Sequence, residues 1–324
     1  MTVPGGRPTN GAEARALLGQ VRDAVHRAVV GRDTVLDQLT IGAVADGHLL
    51  FEDLPGLGKT LMAKSFATAL GLTFNRIQFT ADLLPHDITG GEMYDAQRGA
   101  FSFRPGPLFT HVLLADEINR APPKVQSALL EAMQEYQVTS ERATHKLERP
   151  FLVLATQNPI DLEGTYPLPE AQVDRFLMRL SVGYPTAEEE REILRQRRER
   201  KSDDATVPVV LSADQFRAIQ RAAEDVTIDP AIEGYVVEVV ASTRLDPRAE
   251  VGASPRGSLA LLKLARARAL FEGRDYVVPD DVKSLALPAL AHRVLVKPEP
   301  WIRGVRGAQI VQGAIDKVPV PKVP

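Results

Sequence analysis

Hydrophobic positions along this chain change period several times, and the changes mark its elements. From Asn10 to Asp46 they recur at helical spacing: Leu17, Leu18, Val21, Val25 and Val29 form one stripe, and Val35, Leu36, Leu39 and Ala43 a second. Asn10 followed three residues on by Glu13 has the form of a capping box. Gly31 breaks the stripe, so two helices are predicted, the second from about Asp33 to Asp46. Beyond them the apolar positions contract into short runs: Leu49-Leu50-Phe51, Phe74 to Phe79, Val112-Leu113-Leu114-Ala115, Phe151 to Ala155, and an alternating Phe176 to Val182. Each has the length of a buried strand. Helical spacing returns between them, at Leu61, Met62, Ser65, Phe66 and Ala69, and at Val125, Ala128, Leu129 and Met133 behind Pro122 and Pro123. Strand–helix alternation from 48 to 182 predicts an α/β fold: a mostly parallel sheet with helices on both faces.

Two stretches interrupt that alternation. Between Phe79 and Leu108 the pattern is irregular and rich in Gly and Pro, with Glu92 to Tyr94 and Ala100 to Phe103 as short strands around a Gln97-Arg98-Gly99 turn. A hairpin therefore stands where a simple α/β unit would carry a helix. A polar hairpin, Tyr136 to Leu147, precedes the Phe151 strand. Pro185-Thr186 marks a boundary, and Thr186 with Glu189 repeats the capping-box form. The helix that follows, EEEREILRQRRERK, interleaves Glu with Arg. That favours a solvated, salt-bridged face over a nucleic-acid surface. Residues 202–208 read as a linker. Helical spacing then runs through Ser212 to Ala223, Asp229 to Arg244, Pro255 to Phe271 and Asp280 to Arg293. The expected organisation is an α/β domain over 1–185, a connecting helix and linker over 186–210, and a small helical domain with a C-terminal tail over 211–324. The tail has room for one helix. Residues 1–9, rich in Gly and Pro, are expected to fray.

Composition narrows the function classes. The 324 residues allow two domains, and 44% hydrophobic residues supply a large core. Basic and acidic residues number 39 and 42, without the basic excess of a dedicated nucleic-acid binder. The absence of cysteine excludes disulfides, thiol catalysis and Cys-based metal sites. No apolar run reaches the roughly 18 to 20 residues of a membrane span, and the first residues lack a signal core. A cytoplasmic protein is expected.

The chemistry concentrates in His48 to Ala69. A strand, then Asp53-Leu54-Pro55-Gly56-Leu57-Gly58-Lys59-Thr60, then a helix from Lys59 through Leu61 is the context of a phosphate-binding loop. Glycines let main-chain N–H groups face phosphate oxygens, and the helix start adds unpaired N–H groups and a positive dipole end. Pro55, Gly56, Leu57, Gly58, Lys59, Thr60 and Leu61 are thus the candidate nucleotide-binding residues. Lys59 is placed to meet the β- and γ-phosphates of ATP, and Thr60 to offer a hydroxyl to Mg²⁺. Asp53 stands where the general pattern has Gly. Asp116 and Glu117 follow a buried strand, at the end where open α/β sheets bind ligands. Asp116 is the second candidate for Mg²⁺, and Glu117 for polarising the attacking water. Three further positions stay open on their residues alone. Asn158 is either a turn residue or an amide aimed at the γ-phosphate. Arg175 and Arg256 are either solvated or functional. The Val29-Val30-Gly31 elbow is either a plain turn or a wall for adenine.

In this order, the motifs resemble an AAA+ ATPase, and more closely the MoxR family. The most specific stretches are QFTADLLPHDITG at 78–90, RPGPLFTHVLLADEINRAPPKVQSALLEAMQEYQVT at 104–139, ATQNP at 155–159, GTYPLPEAQVDRF at 164–176 and GASPRG at 252–257. The resemblance covers nearly the whole chain and implies a P-loop core with a small all-helical lid. It implies Walker A roles for Lys59 and Thr60, and Walker B roles for Asp116 and Glu117. Asn158 takes the part of sensor 1, Arg175 of the arginine finger, and Arg256 of sensor 2, in cis or in trans. Asp53 is similar to a variant found within the family. The inserted hairpins correspond to a helix-2 insert and a pre-sensor-1 hairpin. A Mg²⁺-dependent ATP hydrolase is implied, working as a homo-oligomer, usually a hexameric ring. Such a chaperone remodels or metal-loads partner proteins, often beside a von Willebrand factor A domain protein. A metal-chelatase motor, a nucleic-acid motor and a nucleotide-gated scaffold are the other readings. Intact Lys59, Asp116, Glu117 and Arg175 argue against the scaffold, and near-neutral charge against the nucleic-acid motor.

Overall fold

In the computed structural model, which describes residues 10–95, 99–140, 143–158, 165–202 and 204–322, the expected alternation forms a parallel sheet. The N-terminal residues expected to fray and the Gln97-Arg98 turn lie outside the described residues. Helices α1 (Gly11–His26) and α2 (Asp33–Val44) come first. Asn10 Oδ1 accepts the Glu13 N–H at 3.0 Å and starts α1. Left-handed Gly31 and Arg32 separate the two helices.

The sheet contains β1 (Leu49–Glu52), β2 (Phe74–Gln78), β5 (Val112–Asp116), β8 (Leu152–Gln157) and β9 (Met178–Leu180) in the order β2-β5-β8-β1-β9, every pair parallel. Helices α3 (Lys59–Ala69), α4 (Pro85–Thr89), α5 (Pro123–Glu135) and α6 (Glu170–Val173) lie between its strands. The central strands β1, β5 and β8 bury both faces, whereas the edge strand β2 exposes Arg76 and Gln78. Leu49, Phe51, Leu114 and Leu154 join Met62 and Phe66 of α3 on one side. Leu50, Leu113, Ala115 and Val153 join Val125, Leu129 and Met133 of α5 on the other. Burial on both sides is why these runs are continuously apolar. The register sets Gln78 opposite Asp116 and Glu52 opposite Gln157, so the carboxyl ends of four strands meet at one edge.

The expected hairpins are β3 (Gly90–Asp95) with β4 (Ala100–Pro105), and β6 (Gln137–Thr139) with β7 (Thr144–Lys146), each antiparallel. They touch: the Phe103 ring stacks on His145, centroids 3.7 Å apart.

After β9 come α7 (Ala187–Arg200), α8 (Ala213–Glu224), α9 (Pro230–Leu245), β10 (Ala249–Val251), α10 (Pro255–Phe271), α11 (Pro279–Leu290), β11 (Leu295–Val296), α12 (Pro298–Ile302) and α13 (Gly307–Lys317). The pairs Arg195–Glu192 and Arg195–Glu199 form the expected salt-bridged face of α7. The helical C-terminal region also carries the short antiparallel pair β10–β11. Ile310, Val311 and Ala314 of α13 are buried, and α13 packs on α9 and α11, so the tail belongs to this helical core. One element is shorter than its pattern. The helix expected over Leu168 to Phe176 is confined to α6, because Phe176 is needed in the core and the Leu177 N–H already bonds the His48 carbonyl at 2.7 Å. Among the described residues no helix is long and apolar enough to cross a membrane.

Candidate functional site

The loop between β1 and α3 has the backbone that its sequence requires. Gly56 and Gly58 take φ of 82° and 81°, and a Cβ at either would meet nothing within 4 Å. Neither glycine is demanded by packing. Both are demanded by the left-handed turn, which leaves the inner side of the loop open to a ligand. No side chain caps α3, so its first N–H groups remain available to an anion. Lys59 Nζ donates to the carbonyls of Asp53 at 3.0 Å and Leu54 at 2.9 Å. Burial lowers its pKa, against the opposing pull of Asp53, Asp116 and Glu117.

Lys59 and Thr60 line a cavity of about 380 Å³ together with Arg76, Asp116, Glu117 and Asn158. Asp116 is already engaged on both oxygens. Its Oδ2 accepts from Arg76 Nη2 at 2.6 Å and Nε at 3.1 Å, and its Oδ1 from the Thr156 hydroxyl at 2.6 Å. Glu117 sits in a left-handed conformation, φ 57°, with its N–H bonded to Thr156 Oγ1 at 2.8 Å. That turn aims its carboxylate along the sheet edge, where Gln78 Nε2 donates to it at 2.8 Å and Arg120 Nε at 3.0 Å. The Thr60 hydroxyl and the Asp116 carboxylate, in one cavity, suit a hard cation such as Mg²⁺ that shares its coordination with phosphate and water. Arg76, Gln78 and Thr156 were not identified from the sequence. Their signal was there in part: polar residues alternate at the end of β2, a strand that pairs with the Asp116 strand.

A second cavity, also about 380 Å³, adjoins the first and shares Gly56, Leu57, Gly58 and Leu61 with it. Val29, Val30, Met62, Pro185 and Ile193 give it apolar walls. The elbow after α1 therefore lies against the phosphate loop, where a flat apolar ring would find contact. The two cavities together have the size range of a small-ligand site.

The two arginines stand apart from this arrangement. Arg175 and Arg256 line a different cavity, of about 280 Å³, with Asp174, Lys263 and Arg293. No residue of the loop 53–61 lines it. Arg175 Nη1 donates to the Leu130 carbonyl at 3.1 Å, and its Nε has no hydrogen-bond partner. Arg256 is exposed on the first turn of α10. A buried clamp holds the two together. Asp174 Oδ1 accepts from Arg293 Nη1 at 2.7 Å, and its Oδ2 from Ser254, the N-cap of α10, at 3.1 Å. Arg293 also donates to the Phe176 carbonyl at 2.6 Å. Its side chain is 3% exposed, and burial brings its pKa down to about 10. Asp174 and Arg293 carried no signal in the sequence, since nothing local marks a pair so far apart.

Comparison with known proteins agrees with this geometry. Residues 48–178 match the profile of the ATPase family associated with various cellular activities (AAA), and residues 241–314 that of the AAA lid domain. Chaperone MoxR1 of Mycobacterium tuberculosis is 42% identical, over 99% of this chain and 86% of its own. The uncharacterized protein YeaC of Bacillus subtilis is 46% identical, over 94% and 95%. Among solved structures, a candidate ATPase from Cytophaga hutchinsonii superposes with a TM-score of 0.90 at 41% identity, covering 96% of this chain and 97% of that one.

Proposed function

The chain belongs to the MoxR family of AAA+ ATPases, and from that premise we propose that it is a Mg²⁺-dependent ATP hydrolase whose turnover remodels or matures a partner protein. One observation carries the reading: Lys59, Thr60, Asp116, Glu117 and Asn158 converge on one cavity, while Arg175 and Arg256 line another. In this reading, residues 1–185 are the nucleotide-binding domain, 186–210 the connection and 211–324 the lid and tail.

The roles follow from position. The N–H groups of α3 and the Lys59 ammonium take the β- and γ-phosphates, which requires Lys59 to leave the Asp53 and Leu54 carbonyls. Adenine lies against Val29, Val30 and Ile193. Thr60 and Asp116 would hold Mg²⁺, which would neutralise charge on the phosphates. Glu117, held by Gln78 and Arg120, orients and polarises the attacking water. Asn158 hydrogen-bonds the γ-phosphate or that water. Arg175 and Arg256 serve the site of a neighbouring subunit, so the active form is a homo-oligomer, a hexameric ring. Arginine supplied in this way accelerates related reactions by roughly 10³- to 10⁵-fold.

Work on the partner is assigned to the hairpins. Met93, Tyr94 and Phe101 are exposed on β3–β4, and the Phe103–His145 stack joins that hairpin to β6–β7, which leads into the strand ending at Asn158. The partner is a von Willebrand factor A domain protein or another client protein.

The test separates binding from turnover. Lys59→Ala should lose ATP binding, whereas Glu117→Gln should keep it and lose hydrolysis. Glu117→Gln should also retain a partner from native extract when ATP is present. Arg175→Ala and Arg256→Ala should each bind ATP, hydrolyse it poorly, and regain activity when mixed with Lys59→Ala subunits. Equal loss of affinity in Lys59→Ala and Glu117→Gln, or no recovery in rings proven to be mixed, would sink the assignment.

A further inference from the structure

We propose that Asp53 is a positioning residue for the nucleotide, whose carboxylate straps the phosphate loop to the wall of the base cavity. The proposal rests on the nucleotide reading above and accounts for the one position of the loop that departs from the general pattern.

Every polar group of Asp53 is committed. Its N–H donates to the Gln157 carbonyl at 3.3 Å, and its carbonyl accepts from Lys59 Nζ at 3.0 Å. Its carboxylate, on a residue only 8% exposed, turns to the chain leaving β9. Oδ1 accepts from the Ser181 hydroxyl at 2.7 Å and the Gly183 N–H at 3.3 Å, and Oδ2 from the Val182 N–H at 2.5 Å. Successive main-chain N–H groups folded around an anion in a turn with a left-handed residue form a nest. Gly183 has φ of 66°, and a Cβ there would meet nothing within 4 Å. Its glycine is explained by the cradle, not by crowding.

The strap continues to the base cavity. Two residues beyond the nest, Pro185 is one of that cavity's walls. Between them, the Tyr184 carbonyl accepts from Arg32 Nη1 at 2.9 Å, which ties the strap to the elbow after α1. Thr186 then caps α7, which brings Ile193 to the same wall. One carboxylate thus fixes the distance between the phosphate cradle and the base wall. A ligand that spans both halves gains from that fixed spacing, because the site need not be ordered when it binds. A ligand that fills only the phosphate half does not.

That difference gives the test. Full-length protein carrying Asp53→Asn, Asp53→Gly or Gly183→Ala is compared with the unmutated protein for affinity towards ATP and towards inorganic tripolyphosphate, for KM and kcat, and for thermal stability. Asn places an NH₂ against a main-chain N–H, Gly removes the strap, and Ala strains the cradle from its other side. Losing hydrogen bonds to a buried charge should weaken ATP by about tenfold or more. Tripolyphosphate should change by less than about twofold, and the rise in KM should outweigh any fall in kcat. If Asp53 variants fail to fold, Ser181→Ala removes one donor of three and should show the same split at smaller size. Unchanged ATP affinity in folded variants, or proportional loss for both ligands, overturns the proposal. An unmutated protein that binds no ATP overturns the nucleotide reading itself, and this proposal with it.

Discussion

Acid should destabilise this protein well before its carboxylates titrate, and His48 should supply a measurable share of the loss. The His48 ring is 6% exposed. Its Nδ1 receives the Val153 N–H at 3.0 Å, so Nδ1 must be the bare acceptor. The proton therefore sits on Nε2, which donates to the Met133 carbonyl at 2.9 Å. Protonating the ring would set a second N–H against that of Val153. Burial, only partly opposed by the bond to Met133, lowers the pKa from 6.5 to about 4. Between those two values the unfolded chain binds a proton that the folded chain refuses. Stability from this residue is therefore complete above about pH 6.5 and falls as the pH drops toward 4. The shift corresponds to about 3 kcal/mol in all, lost at up to ~1.4 kcal/mol per pH unit. His292, which burial pushes to about 3, adds a loss of the same sign.

The assay is urea unfolding from pH 7.5 down to pH 5 for the parent and for His48→Gln. Gln does not titrate, so the variant should be less stable at pH 7 but show a shallower dependence on pH. Subtracting one curve from the other cancels the carboxylates. Identical slopes would refute the claim that His48 is held neutral. The consequence is not confined to stability. His48 ties β1, which leads into the phosphate loop, to β8, which leads into Asn158, so ATPase activity should fall over the same pH range.

Two further outcomes can be checked directly. Asp174→Asn leaves the buried Arg293 without its counter-charge and should cost about 3–5 kcal/mol in chemical denaturation, with part of the loss recovered by adding Arg293→Met; an Asp174→Asn protein of parental stability would refute the clamp. Arg76→Met removes a cation from Asp116, so the ratio of ATP affinity with Mg²⁺ to that with EDTA should rise by several-fold; an unchanged ratio would mean that Arg76 does not compete for the Asp116 carboxylate.

What the sequence disclosed and what it withheld divide by range. The loop 53–60, the Asp116-Glu117 pair and Asn158 were legible because each sits at the end of its own apolar run. Parallel pairing then carries the ends of neighbouring strands to one edge. The helix caps at Asn10 and Thr186 were legible for the same local reason. Asp53 was legible only as a departure. Its reason lies in Ser181, Val182 and Gly183, which no local pattern connects to it. The Asp174–Arg293 pair is of the same kind. The length of α6 was missed because burial of Phe176 overrides a helical pattern that runs past it. Helix α4 was missed because Pro85 and the glycines around it read as loop, although Asp87 Oδ2 accepts the Leu84 N–H at 2.8 Å and caps it. Strands β10 and β11, of three and two residues, are too short to show any period.

The clamp bears on whether Arg256 serves its own subunit or the next. Ser254, the N-cap of the helix whose first turn carries Arg256, bonds Asp174, the residue before Arg175. A rearrangement that separated the start of α10 from Asp174 would give up that bond, beside an ion pair whose guanidinium is almost wholly buried. A hydrogen bond to a charged group contributes roughly 1.5–3 kcal/mol. The proposed trans role needs no such change, because both arginines already line one cavity together with Lys263. The unsatisfied Nε of Arg175 points the same way: a buried donor left without an acceptor within its own chain is costly unless an acceptor arrives from outside. On the proposed trans reading, a phosphate presented by an adjoining subunit would supply that acceptor. The same cavity, with Arg175, Arg256, Lys263 and Arg293 against Asp46 and Asp174, would then be the complement of a charge that the chain itself does not hold.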